Sequence, residues 1–372
     1  MIRTMAVVGT GLIGTSVGLA VSRHGVTVHL MDEDETAARC AAALGAGILA
    51  APAGPVDLAV LAVPPGRLGP VLAEQQLRGL ARAYTDVASV KAAPERLVSA
   101  GLADAVSYIG GHPLAGREKS GPLAARADLF EDRSWVLTPS AGTSQETLNR
   151  ALEMIALCGA VPVLMDSQAH DSAVALTSHV PHVVASLMAA RLQHAPREAA
   201  RLAGQGLRDV TRIAAGDARL WGDILQANAA AVAGVLRDLQ ADLSDLLAAL
   251  DELPAAPAGE GSPGLARLVG LLDRGVAGMG VIQGRDGAPA AGPVRVRVAL
   301  GDRPGELARL LASVADLGVG ADDVTPRGGG PSGLEVELGV APLRTEDVLR
   351  RLVREGFEAD RADARVLTGV MP

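Results

Sequence analysis

An α/β protein is expected, in three parts: a doubly wound sheet, an all-helical second region and a small βαββαβ unit. Three observations predict this. Apolar runs of strand length alternate with helical periodicity over residues 1–165. Residues 168–252 then keep helical spacing with almost no strand signal. After a Gly/Ala/Pro-rich stretch at 277–293, short strands and helices resume. Alternating strands and helices of this kind give a mostly parallel sheet covered on both faces.

The elements follow in order. Met5–Val8 is a short apolar strand, followed at once by Gly9-Thr10-Gly11-Leu12-Ile13-Gly14. A helix over Thr15–Arg23 and a second strand over Val26–Met31 follow, and Asp32 ends that strand. Strand, G-x-G-x-x-G, helix, strand, acid is the pattern of a Rossmann-like dinucleotide site. Gly9 allows the tight turn, and Gly11 lets the backbone approach a pyrophosphate. Leu12 and Ile13 open the helix whose N-terminus favours that anion, and Gly14 lets helix and strand pack closely. Asp32 is expected to accept from the adenosine ribose and to repel a 2′-phosphate, so the cofactor is NAD rather than NADP. Arg39 is the one nearby cation that could favour NADP.

Asp57–Val63 reads as a buried strand, ended by Pro64 and Pro65, with a helix over Leu68–Leu80. Tyr84–Val87 is a strand leading to Ser89-Val90-Lys91. Val106–Ile109 leads into Gly110–Gly121, which carries His112, Arg117, Glu118 and Lys119. Four glycines and Pro113 punctuate that stretch, which predicts a shaped loop. Ser134–Leu137 and Val161–Met165 are further strands, around a helix over Thr147–Cys158. Strand ends converge in such sheets, so Val63, Pro64, Ser89 and His112 should face the nicotinamide half of the cofactor.

Composition narrows the class. The net charge of −8, without a basic stripe, argues against nucleic-acid binding. Cys40 and Cys158 lack metal or redox spacing, which suits a reducing cytoplasm. Residues 5–22 are apolar after Arg3, yet four glycines interrupt them and no cleavage site follows, so no signal peptide is expected. No apolar run is expected to span a bilayer. Lys91 and Lys119 are the only lysines among 34 cationic residues.

In the helical region, Asp171–Ala190 reads as a long helix carrying Ser178-His179-Val180-Pro181-His182. Pro181 should kink it near the histidines. Helical signal continues through Asp209–Ala214, Leu220–Leu250 and Leu265–Asp273, and so many apolar faces predict a homodimer. The expected boundaries are 1–165 for the nucleotide-binding domain, 166–276 for the helical substrate and dimerisation domain, 277–292 for a linker and 293–372 for the last domain. That domain should contain strands at Val294–Leu300, Val319–Val324, Leu334–Val340 and near Phe357, with helices after Gly305 and at Thr345–Glu355.

Together these motifs carry a resemblance. The fingerprint, Ser89-Val90-Lys91, His112-Pro113 with Gly116 and Glu118–Gly121, Ser178–His182, and Asp209–Ala214 followed by Trp221 resemble the prephenate/arogenate dehydrogenase family of tyrosine biosynthesis, over about the first 275 residues. Residues 294–366 resemble an ACT domain through the turn Asp302–Leu307 and the element order. The resemblance implies NAD-dependent oxidative decarboxylation of prephenate to 4-hydroxyphenylpyruvate, or of arogenate to tyrosine. It implies His112 as base, with Ser89 bonded to the substrate hydroxyl and to His112. A dianionic substrate needs cations and donors, and Arg212, His182, His179, Glu118, Lys119 and Asp171 are the expected binding set, Asp171 holding Arg212 by an ion pair. The ACT-like domain implies an amino-acid effector, tyrosine being the natural one.

Two other classes were weighed on the residues. A cofactor-binding sensor would not need His112, Ser89 and Arg212 together. A hydroxy-acid dehydrogenase of similar design commonly uses a helix lysine, and the helical region has none.

Overall fold

In a computed structural model, the structure describes residues 1–116, 119–196, 201–253, 262–283, 294–301, 305–317, 319–320, 323–330, 333–340 and 344–362. The chain divides into two compact units, Met1–Ala241 and Asp242–Pro372.

The first unit is built on a seven-stranded sheet: β1 Thr4–Val8, β2 Thr27–Met31, β3 Leu58–Leu61, β4 Tyr84–Asp86, β5 Tyr108–Pro113, β6 Ser134–Thr138 and β7 Val161–Leu164, in the order β2-β1-β3-β4-β5-β6-β7. All neighbours are parallel except β5 and β6. Side chains alternate between faces along each strand. Met5 and Val7 therefore join one core, with Val17, Val21, Met154 and Ile155 from the helices Leu12–Ser22 (α1) and Gln145–Leu157. Ala6, Ala59 and Leu61 join another, with Leu68, Leu72 and Val98 from Pro65–Leu77 and Ala92–Ser99 (α4). Helices on both faces are the doubly wound design. The helix after β3 starts earlier than its apolar pattern suggests, because Pro65 suits a first-turn position that needs no N–H donor.

The loop expected at Gly110–Gly121 begins later than predicted. β5 continues through Gly110, Gly111, His112 and Pro113, paired antiparallel with β6. The two glycines are strand residues because nothing larger fits. A Cβ on Gly110 would lie 2.4 Å from Thr138 Oγ1, and one on Gly111 would lie 2.5 Å from the Asp86 carbonyl oxygen. Glycine here marks close packing, not a turn.

The helical region also differs. Asp166 caps a helix over Ser167–Val174 (α6), which passes into a π-helical turn, Ala175–His179, and then into Val180–Arg191 (α7). Pro181 falls at the start of α7. Its missing N–H and its ring are accommodated by the π-helical turn before it. Among the described residues this run, Ser167–His194, is long and apolar enough to cross a membrane by length and composition, with mean hydropathy 1.4 in its best window. That corrects the expectation that no run would qualify. The run carries buried His170, Asp171, His179 and His182, and a core helix passes the same test.

Further helices cover Gln205–Thr211, Ala218–Ala227, Ala229–Glu252 and Pro263–Gln283. The last extends beyond residue 277, where a linker was expected to begin. Cβ atoms on Gly275, Gly278 and Gly280 would meet nothing, so these glycines lower helix propensity without breaking the helix.

Within the second unit, β8 Val294–Leu300, β9 Val324–Gly330, β10 Gly333–Val340 and β11 Glu358–Arg361 form an antiparallel sheet in the order β11-β8-β10-β9. Helices Glu306–Val314 and Thr345–Arg354 bury Leu310, Val314, Val348 and Leu352 against Val296, Val298, Val336 and Leu338. The βαββαβ order stands. Its second strand lies at Val324–Gly330 rather than Val319–Val324, because β10 pairs with the Gly-rich segment. Asp302, Arg303 and Pro304 of the expected turn lie outside the described residues.

Candidate active site

Gly9, Gly11 and Gly14 have three separate reasons to be glycine. Gly9 has φ +99°, and its Cβ would lie 2.2 Å from the Ala62 carbonyl oxygen. A Cβ on Gly14 would lie 1.9 Å from the Gly9 carbonyl oxygen. Around Gly11 a Cβ would meet no protein atom within 4 Å, so the protein itself does not demand glycine there. Close approach by a ligand does. No side chain caps α1, which leaves its first N–H groups, at Leu12 and Ile13, to an anion. Val63 and Pro64 follow β3 at the same edge of the sheet.

Asp32 follows β2. Its Oδ2 accepts from Thr10 N at 2.5 Å and Thr10 Oγ1 at 2.8 Å, and its Oδ1 from Asp34 N at 2.8 Å. The acid thus shapes the glycine turn and keeps spare lone pairs for a ribose. The segment after β2 reads Asp32-Glu33-Asp34-Glu35, an acidic run whose first member alone was singled out from sequence. Arg39, the cation that could have received a 2′-phosphate, pairs with Glu35 at 2.6 Å. Arg67 pairs with Glu33. These residues fit NAD and oppose a 2′-phosphate.

At the other end of the sheet, β5 carries His112. Its neighbour Gly111 is held from below by two buried residues. Asp86, at the end of β4, accepts from Tyr108 Oη at 2.7 Å and from Gly111 N at 3.3 Å. Lys91 pairs with Asp86 and donates to the Gly111 carbonyl at 2.6 Å. Burial pulls the Lys91 pKa down from 10.5, and Asp86 and Asp171 act against that. Burial also holds the Tyr108 phenol well above 10, with the Asp86 charge adding to it.

His112 is half-buried, with Nδ1 2.8 Å from His170 Nε2. His170 Nδ1 lies 2.8 Å from Asp171 Oδ1. The Asp171 carboxylate also accepts from Lys91 N at 2.8 Å and Ala92 N at 3.0 Å, at the start of α4. Burial alone would raise its pKa, but these bonds bring it below 3.8. The Asp171 carboxylate is thus engaged by His170 and by the α4 N-terminus. Burial is the main force holding the His112 pKa well below 6.5, and the Lys91 charge adds to it. The imidazole is therefore neutral at pH 7.

His179 and His182 lie beyond the π turn, both buried. Asn228 Nδ2 donates to His179 Nδ1 at 3.1 Å and to the Asp171 carbonyl at 2.8 Å. That puts the His179 proton on Nε2, a buried donor without a partner among the described residues. The His182 ring stacks on Trp221 at 3.6 Å, and a Cβ on Gly216 would lie 2.6 Å from the indole nitrogen. Burial lowers both histidine pKa values from 6.5. Arg212 begins the turn Arg212–Ala215, its side chain exposed, on the segment that leads to Gly216.

The Ser89 hydroxyl is half-buried and makes no hydrogen bond among the described residues, so the implied bond from Ser89 to His112 is not present. Lys119 is exposed, and Glu118 lies outside the described residues. Asp86, Tyr108, Asn228 and His170 carry no sequence motif that singles them out. The His170-Asp171 pair opening a helix was the one available signal. Among the described residues no group of His, Cys, Asp and Glu could hold a metal ion.

Residues 17–164 match the model of the prephenate dehydrogenase nucleotide-binding domain, and residues 166–255 match that of the prephenate dehydrogenase dimerization domain. A probable prephenate dehydrogenase, NovF, of Streptomyces niveus is 44% identical over 366 residues, covering 96% of this chain and 99% of the relative. The chain belongs to the prephenate dehydrogenase family. A cyclohexadienyl dehydrogenase of Zymomonas mobilis is 33% identical over 66% of this chain and 88% of its own. The fold is shared with a prephenate dehydrogenase from A. aeolicus, solved with hydroxyphenyl propionate and NAD+, at TM-score 0.64 and 24% identity, covering 76% of this chain and 99% of that one. This prephenate dehydrogenase is thus an NAD-dependent oxidoreductase of tyrosine biosynthesis. The domain model over 166–255 points to a dimer.

Proposed function

We propose that His112 is the base in the oxidative decarboxylation of prephenate, taking the hydroxyl proton at Nε2. The observation that supports this is a half-buried, neutral imidazole whose Nε2 has no protein partner among the described residues. A neutral imidazole is a proton acceptor of suitable strength. As the O–H proton passes to His112, the hydroxyl carbon becomes a carbonyl and loses hydride. NAD supplies the hydride acceptor when bound. The ring carboxylate then leaves as carbon dioxide, its bonding pair enters the ring, the carbonyl π pair moves onto oxygen, and the proton held by His112 returns there to give the phenol.

The remaining residues bind and orient. Ser89 hydrogen-bonds the reacting hydroxyl, its own hydroxyl having no partner among the described residues. Arg212 grips one carboxylate with its planar fork. His179, through its buried Nε2–H, and His182, fixed on Trp221, line the same pocket. Lys119 adds positive charge from the loop after β5, and Glu118, expected at the entrance from the sequence, lies outside the described residues. Gly9, Gly11, Leu12, Ile13, Gly14, Val63 and Pro64 hold the dinucleotide, and Asp32 its adenosine ribose. An NADH absorbance assay with prephenate and with arogenate, on wild type and His112→Ala, tests this. The variant should lose about 10²–10⁴-fold in turnover and keep its NAD affinity. A normal rate in the variant would remove His112 from the chemistry.

We read the domain boundaries as 1–165, 166–283 and 293–372, the helix Pro263–Gln283 carrying the second past the expected residue 276. We place the homodimer contact on the apolar faces of Ala229–Glu252 and Pro263–Gln283, where Leu239, Leu243, Leu250, Val269, Leu272 and Val276 are exposed. The βαββαβ unit is read as an ACT-like effector domain that binds tyrosine. Gly305, at φ +84°, begins its first helix and leaves the backbone open to a ligand. Two unpaired cysteines suit a cytoplasmic enzyme. Calorimetry of the full chain with tyrosine, and light scattering for its mass, check the effector and the dimer.

A further inference from the structure

We propose that His170 and Asp171 are positioning residues that lock His112 in its proton-accepting tautomer. The proposal rests on the reading of His112 as base. Each link in the chain has a single polarity. Asp171 is ionised and can only accept, so His170 Nδ1 must carry the proton in their 2.8 Å bond. A His170 ring carrying that single proton then has only a lone pair at Nε2. The 2.8 Å contact with His112 Nδ1 therefore requires the proton on His112 Nδ1. That leaves the His112 lone pair on Nε2.

Burial makes the arrangement selective. His170 is 1% exposed and Asp171 5%. The two imidazoles meet edge to face, with centroids 5.1 Å apart at 74°. The alternative tautomer of His112 would set two lone pairs against each other in a dry site. Asp171 is itself anchored by the N–H groups of Lys91 and Ala92, so the chain reaches from α6 through the α4 N-terminus to β5. After His112 takes the substrate proton, its Nδ1–H still donates to His170, and the new positive charge is backed by the carboxylate. The other charged or titratable groups around His112 are Lys91, with its partner Asp86, and His179.

The test compares His170→Leu with His170→Gln. Glutamine keeps a carbonyl acceptor near the place of Nε2, and leucine removes it. His170→Leu should lower kcat by about 10–100-fold, as loss of an orienting partner does, with the prephenate KM and NAD affinity unchanged. His170→Gln should recover most of the rate. Nitrogen-15 NMR of the wild-type enzyme should show His112 protonated at Nδ1, a measurement that needs no variant to fold. A wild-type kcat in His170→Leu, equal losses in both variants, or a proton on His112 Nε2 in the resting enzyme would each overturn the proposal. If His112→Ala is inactive and His170→Leu is not, the positioning claim alone fails. If His112→Ala turns over normally, the reading of the base fails first.

Discussion

Lys91 donates from Nζ to the carbonyl oxygen of Gly111 at 2.6 Å, directly before His112 in the chain. The same ammonium pairs with Asp86, and both side chains are fully buried. Asp86 in turn receives the Gly111 N–H and the Tyr108 hydroxyl. The strand that carries His112 is thus pinned from beneath by one ion pair. Removing one partner strands a buried charge. Lys91→Met should therefore destabilise the protein by about 3–5 kcal/mol, read from denaturant unfolding. A loss within the range of ordinary surface substitutions would show that the pair is not holding β5.

Acid should weaken both stability and rate, in a window set by the histidines. His112, His179 and His182 have folded pKa values below 6.5. An unfolded chain protonates its histidines near pH 6.5. Below that pH the unfolded state binds more protons than the folded one. Their contribution to stability is complete above about pH 6.5 and declines as pH falls. The rate should follow the same direction, because only neutral His112 accepts a proton. A kcat/KM profile should be level at pH 7 and decline only below about 6.5. An acid limb centred above that value would contradict a depressed His112 pKa.

Arg212→Ala should act on substrate binding. A charged hydrogen bond to a carboxylate contributes about 1.5–3 kcal/mol, which corresponds to roughly a 10- to 150-fold rise in KM for prephenate. Steady-state kinetics decide this, and an unchanged KM would exclude the anchor role.

Asp32→Ser should weaken NAD and narrow its advantage over NADP, by removing one charge from the ribose site. Glu33, Asp34 and Glu35 remain, so NAD should still be preferred. Titration of both cofactors by fluorescence is the measurement. A variant that prefers NADP would mean that Asp32 alone carries the discrimination.

The nucleotide-binding half was legible because its signals are local. A strand, three glycines, a helix and an acid occupy Met5 to Asp32, and each constrains its neighbours. His112, Ser89, Arg212, His179 and His182 could be named because their motifs resemble those of a family. Their partners could not be read in the same way. His112 and His170 are 58 residues apart in sequence, and Asp171 reaches back 80 residues to Lys91 N.

By itself the sequence determined the periodicities, the cofactor fingerprint, the charge of the ribose site and the order of the three regions. Those follow from residue type and spacing along a few turns or strands. Tertiary packing decided the rest. Gly110 and Gly111 belong to a strand because Thr138 and the Asp86 carbonyl leave no space for a side chain. Pro181 follows a π turn, where an isolated helix would bend. Asp171 binds His170 and the start of α4, because burial places those donors within hydrogen-bond reach. A buried carboxylate is satisfied by whatever donors the fold brings to it, and donors far away in the chain leave no local pattern to read.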